Sequence, residues 1–202
     1  MILLGSSCSN SKPETQLTLS STEDGSYQAS VRPNLQWKRY AAFESDLVRG
    51  LELEPDALCN EFGKESCIRH VHLVPLGGHD PFASGLLVPS AETLATTPAA
   101  VDRVLLSACS KRAQLDKKAG RAEAKVFDQL SLDGEAPPPD SVEARNTVIS
   151  LYRRLLGRDP DAHEVPLVAA LTRDEDGEPR SASDFATLSC FSIGTSTEFL
   201  FF

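Results

Sequence analysis

Residues 145–164, RNTVISLYRRLLGRDPDAHE, leave the backbone little choice. Val148, Ile149, Leu151, Tyr152, Leu155 and Leu156 recur at the i, i+3, i+4, i+7 spacing of one buried helical face. Arg153, Arg154 and Arg158 fall between or just after them. Gly157 stands where a helix C-terminus wants a residue free of the left-handed penalty. Asp159-Pro160 then breaks the helix, and Asp161 is placed to cap the next one. The pattern predicts a helix over 141–156, a tight turn, and a second helix over 161–172. It fixes architecture and says little about chemistry.

The same reasoning extends along the chain. Trp37, Tyr40, Phe43, Leu47 and Leu51 share a face, predicting a helix over 35–50 with Gly50 near its end. Pro55 suits the first position of a short helix, 55–62. Val101, Val104, Leu105, Ala108, Arg112 and Leu115 trace the face of a helix over 98–119, with Thr97 as N-cap and Gly120 as its stop. The basic run KRAQLDKK suits the negative end of that helix. Phe185, Leu188, Phe191 and Ile193 predict a helix over 183–193. Thr195 to Glu198 reads as a capping box opening a last short helix, and the apolar ending FLFF is expected to dock into the core. Residues 67–75, CIRHVHLVP, alternate in the manner of a strand. The expected fold is mainly α: a helical lobe over 35–136 with a long irregular loop at 75–98, at most a short strand pair, and a helical module over 140–202. The stiff proline stretch EAPPPD at 135–140 is read as the boundary between them. Asp140 is the expected N-cap of the helix beyond it.

Residues 1–34 are expected to be a lipobox-like segment followed by a disordered tether, since residues 9–34 hold too few large apolar side chains to offset the entropy of ordering. A flexible chain over 9–34 has an end-to-end distance of roughly 25–30 Å. Ahead of it lies MILLGSSCSNSK. An apolar run, small residues, Cys8 and a Ser-rich stretch resemble the cleavage region of a bacterial lipoprotein signal. Gly5 replaces the usual leucine three residues before the cysteine. Ile2-Leu3-Leu4 is shorter than an apolar region of about 7–15 residues; a start upstream of Met1 would explain this. The resemblance implies lipidation of Cys8 and anchoring to a membrane.

Setting Cys8 aside leaves Cys59, Cys67, Cys109 and Cys190, an even number. The expected disulfides are Cys59–Cys67, across a turn at Gly63, and Cys109–Cys190, at the edges of two helical stripes. No CxxC, CxxCH or zinc-type Cys/His spacing occurs. His70 and His72 would share a strand face shortly before His79 and Asp80, making these four the candidate ligand-facing residues, centred on the GGHD turn. No GxSxG, HExxH, P-loop or GxGxxG motif is present. A net charge of -9 argues against a nucleic-acid partner, which needs a basic face. No run of about 18 apolar residues predicts a membrane-spanning helix.

Two segments, LYRRLLGRDPDAHEV at 151–165 and DFATLSCFSIGTSTEFLFF at 184–202, together resemble the C-terminal helical module of large secreted bacterial proteins of the planctomycete type, which often carry c-type cytochrome domains. The resemblance implies structural roles for Arg158 and Glu198, with Arg158 bonding helix-end carbonyls or a carboxylate. It brings no catalytic residue, and the haem motif is absent from this chain. These features lead to the expectation of a non-catalytic lipoprotein or periplasmic protein-interaction module of a Gram-negative bacterium. It would sit on the periplasmic side of the outer membrane or on the cell surface, contact an envelope protein, and carry no cofactor. The alternatives are a metal-binding or enzymatic domain using His70, His72, His79 and Asp80, or an accessory to an envelope cytochrome-linked system.

Overall fold

A computed structural model describes residues 36–61, 65–82, 85, 87–89 and 92–201. The tether and Cys8 lie outside the described residues. The fold is mainly α. Helix α1 spans Tyr40–Leu51, α2 Pro55–Leu58, α3 Thr97–Ala119, α4 Val142–Leu155, α5 Glu164–Ala169, α6 Ala182–Gly194 and α7 Thr197–Leu200. The described strands are two-residue pieces, β1 (Asn60–Glu61) and β2 (Glu65–Ser66), paired antiparallel with Asn60 opposite Ser66 and Glu61 opposite Glu65.

The helix ends follow local chemistry. Ser141, Ser181 and Ser196 accept hydrogen bonds from the backbone N–H of Ala144, Asp184 and Phe199, capping α4, α6 and α7. The cap of α4 is thus Ser141, one residue beyond Asp140. Thr97 turns its hydroxyl to the Pro75 carbonyl, at 2.6 Å, and accepts from Leu94 N–H, so it ties the long loop down rather than capping α3. Gly157 takes the left-handed conformation just past α4 (φ 70°).

Two helix pairs make the core: α3 lies along α6, and α1 against α4. A glycine allows each close approach. A Cβ on Gly194 would stand 2.6 Å from Leu105 Cδ2, and one on Gly50 would stand 2.9 Å from Leu155 Cδ2 and 3.1 Å from the Arg154 carbonyl oxygen. Gly50 is thus buried in the last turn of α1, next to the helix end that the sequence reading placed there. Leu105 meets Gly194 and Cys109 meets Cys190. One helical turn forward on α3 is one turn back on α6, so the pair is antiparallel.

Residues 35–202 form one compact unit. Phe43, Phe127, Phe185 and Phe199 belong to a single buried cluster, so the segments read as two lobes share one core. The proline stretch is built in as an edge. Ala136 N–H donates to the Arg180 carbonyl (2.8 Å), Ala182 N–H donates to Gly134 (3.0 Å), and Glu135 bridges Ser181. The chain's end packs in as expected. Phe199 is fully buried against Phe43, Lys38 N–H donates to the Leu200 carbonyl, and Trp37 bridges Phe201.

The segment 67–75 is not a strand. Cys67–Val71 form a π-helical turn capped by Ser66, followed by turns through Gly77. Cys67, tied to Cys59 beside it, starts the turn, and His72 N–H closes it on the Cys67 carbonyl at 2.6 Å. Arg69 leaves the turn to grip the buried carboxylate of Glu44 on α1 with three hydrogen bonds of 3.0–3.2 Å.

Candidate functional site

Loss of the strand disperses the histidines. In a helical turn, residues two apart do not share a face. His70 is exposed and lies 3.4 Å from Glu65, whereas His72 Nε2 is 2.9 Å from Glu61 Oε1. His79 is exposed, and Asp80 accepts a hydrogen bond from Phe82 N–H in a local turn. The four-residue set His70, His72, His79 and Asp80 is not assembled as a ligand cluster. Among the described residues, the one group of potential metal donors within 4.8 Å of one another is Cys59, Glu61 and Cys67.

The cysteines do come together as expected. Cys59–Cys67 and Cys109–Cys190 are disulfides, with Cα separations of 5.3 and 5.8 Å. Both separations fall inside the roughly 4.4–6.8 Å range the bond requires. Both bonds are buried, the second between α3 and α6 and the first at the β1–β2 corner, where Cys67 is fully enclosed and Cys59 is 6 % exposed.

Arg158 forms the densest charged node. Its guanidinium donates to both oxygens of Glu164 at 2.7 and 2.8 Å, to both oxygens of Glu198 at 2.6 Å, and to the Asp159 carbonyl at 3.0 Å. It also stacks over the Tyr152 ring, 5.2 Å from the centroid. Glu164 reaches back to accept from Asp161 N–H, so the turn after α4 is capped by Glu164 rather than by the Asp161 side chain. One fork-shaped cation thus ties α4, α5 and α7 together. The hydrogen bonds from Arg158, then the one from Asp161 N–H, lower the Glu164 carboxyl from 4.5 to about 2. Glu198 is lowered as well, chiefly by Arg158. Burial raises the Tyr152 phenol.

This node has a pH signature. The folded pKa of Glu164 lies below its unfolded value, so its stabilising effect is complete above 4.5 and fades as pH falls toward 2. The stability difference between the native chain and Glu164→Gln, measured by urea unfolding across pH, is expected to be largest above pH 5 and to shrink through that window. A difference independent of pH from 7 to 3 contradicts the assignment.

Beside the node, an open groove of about 600 Å³ runs between α4 and the 159–166 turn. Ile149, Val165, Pro160 and Pro166 form its apolar floor, and Arg145 and Arg153 stand on its rim. Arg153 forms an ion pair with Asp159, which holds that carboxyl below its usual range. Asp159 is therefore a committed carboxylate rather than a proton-transfer group poised near neutral pH.

The sequence reading missed a buried ion pair. Arg112 and Asp116, one turn apart on α3, are almost fully buried. Asp116 accepts from Arg112 Nη2 (2.6 Å) and from the backbone N–H groups of Lys125, Val126 and Phe127 (2.9–3.0 Å). Arg112 Nη1 donates to the Glu52 carbonyl at the end of α1. The basic run was explained by the helix dipole, which fits the exposed Lys117 and Lys118 but not Arg112. The available signal was an Arg on the apolar face with an Asp four residues later.

Comparison with protein-family models, characterised proteins and solved structures finds no match to this chain. Among the described residues, no helix is long and apolar enough to cross a membrane.

Proposed function

We propose that this chain is a non-catalytic protein-contact module of the bacterial envelope, anchored through a lipid on Cys8. One observation carries the reading: all four cysteines of the folded part are paired. Disulfides of this kind form and persist in oxidising compartments, and reduced thiols are the rule in the cytosol. Export supplies that environment, and a lipidated Cys8 accounts for the fifth cysteine without a partner in the fold. The tether at 9–34 would let the domain stand off the bilayer. The charged groups at the Arg158 node and at the Arg153–Asp159 pair are committed to holding helices, which suits a scaffold. The contact partner is taken to be another envelope protein.

Mass spectrometry of the native full-length protein tests the anchor. The expected result is a lipid adduct on Cys8, and a Cys8→Ala variant that keeps the fold but leaves the membrane fraction. A native protein that is unmodified at Cys8 and found in the soluble fraction contradicts it.

A further inference from the structure

We propose that the Cys59–Cys67 corner is a redox-gated binding site for a divalent cation of the zinc class, held when the pair is reduced by Cys59, Cys67 and Glu61, with His72 orienting the Glu61 carboxylate. The sulfurs of Cys59 and Cys67 and a carboxylate oxygen of Glu61 lie within 4.8 Å of one another. His72 Nε2 is 2.9 Å from Glu61 Oε1. Two thiolates and a carboxylate oxygen, with the fourth position left to water, form a donor set suited to tetrahedral Zn²⁺. No sequence spacing announces this set. It arises because a hairpin and the helical turn after it fold onto one corner.

The corner is organised without the S–S bond. Cys67 N–H donates to the Cys59 carbonyl at 3.0 Å, and the β1–β2 pairing continues the ladder beyond it. Reduction therefore leaves the two cysteines facing each other. The backbone N–H of His72 donates to the Cys67 carbonyl, which holds the residue on the same turn, and its ring lies against Glu61. Around a tetrahedral ion with Zn–S bonds of about 2.3 Å, the two sulfurs stand about 3.8 Å apart. Side-chain rotation over a Cα separation of 5.3 Å reaches this. The Glu61 and His72 side chains are 15 % and 14 % exposed, so the carboxylate and the ring against it are largely shielded from water. Glu61 is also bonded by Arg103, at 2.9 Å, whose side chain is mostly exposed and free to swing out. Arg103 occupies the carboxylate in the oxidised protein, and a cation would replace it.

The chemistry balances as follows. A partner dithiol gives two electrons and two protons to the cystine; its own S–S bond forms as the Cys59–Cys67 bond breaks. Zn²⁺ then displaces the two thiol protons to solvent. A partner disulfide reverses the change: the Cys59–Cys67 bond reforms, the partner takes the two electrons and two protons from solvent to leave as a dithiol, and the ion is released. The Cys109–Cys190 bond, which has no further donor grouped with it among the described residues, takes no part. The proposal does not depend on the anchor at Cys8.

The test uses the full chain carrying Cys8→Ser, reduced under native conditions with a phosphine and titrated with Co²⁺. Alkylation mapping identifies which pair has opened. The expected result is one Co²⁺ per chain, with a thiolate-to-cobalt charge-transfer band and the intense visible bands of a tetrahedral site. Zn²⁺ should abolish both, and the oxidised chain should bind no Co²⁺ there. A partner that orients a metal ligand is worth about 10–100-fold in affinity, so His72→Ala is expected to weaken binding by at least about tenfold, and Glu61→Gln, which removes the ligand itself, by no less. Arg103→Ala should strengthen it. Absence of the charge-transfer band with Cys59 and Cys67 shown reduced overturns the site. So does a band that survives Cys59→Ser, or an affinity unmoved in both Glu61→Gln and His72→Ala.

Discussion

The paired substitution Cys109→Ala with Cys190→Ala is expected to lower the stability of the folded chain by about 4–5 kcal/mol. The bond closes a loop with a sequence separation of 81. Opening it returns the chain entropy of that long loop to the unfolded ensemble. The corresponding change at Cys59 and Cys67, with a separation of 8, is expected to cost about 2–3 kcal/mol. The difference in loop length, and not the number of contacts, sets the order. Folded domains have a stability of about 5–15 kcal/mol, so loss of the long bond leaves a small margin. Urea unfolding with linear extrapolation measures both variants against the native chain. A loss at 109/190 no larger than that at 59/67 would show that the long bond does not act through chain entropy.

Asp116→Asn should be the most damaging single substitution, at about 3–5 kcal/mol, because it breaks a buried pair and leaves a charge behind. The carboxylate gathers four donors, three of them backbone N–H groups of the loop packed beneath α3. An amide in its place turns its own N–H₂ toward at least one of these donors and leaves Arg112 buried without a counter-charge. Arg112 Nε already has no hydrogen-bond partner, so the guanidinium has little to fall back on. Removing both charges in Arg112→Met with Asp116→Leu should recover part of the loss at the pair, though not the loop's three backbone bonds. Chemical unfolding of the single and double variants checks this. A loss below about 1 kcal/mol for Asp116→Asn contradicts the buried role, since that is the range of ordinary surface ion pairs.

The helices were legible because each of the long ones buries a stripe at helical spacing. The predicted 98–119, 141–156 and 183–193 stand against observed spans of Thr97–Ala119, Val142–Leu155 and Ala182–Gly194. Both disulfides were also legible, from the parity of the cysteines, the closeness in sequence of Cys59 and Cys67, and the places of Cys109 and Cys190 at the edges of stripes. CIRHVHLVP misled because a nine-residue apolar alternation does not separate a strand from a short helical turn. The Ser66 cap and the Cys59 bond decided for the turn, and with it went the shared face of His70 and His72. The prolines at 137–139 misled for a related reason. Proline stiffens a chain whether it links two bodies or lies as an edge along one, and only the pairing of residues 134–136 with 180–182 distinguishes these. Arg112 and Asp116 stayed hidden because a charged residue on an apolar face resembles one whose stem merely lies along the surface. The Glu61–His72 contact was out of reach, since it depends on how the hairpin meets the turn.

Disulfide mapping of the protein purified from its native source tests the central claim, an exported fold closed by two cross-links. The protein is denatured and alkylated without reductant, then digested and read by mass spectrometry. The account predicts two linked peptide pairs, one joining Cys59 to Cys67 and one joining Cys109 to Cys190, with none of these four cysteines alkylated. Four alkylated cysteines at 59, 67, 109 and 190 would contradict it and return the chain to a reducing compartment.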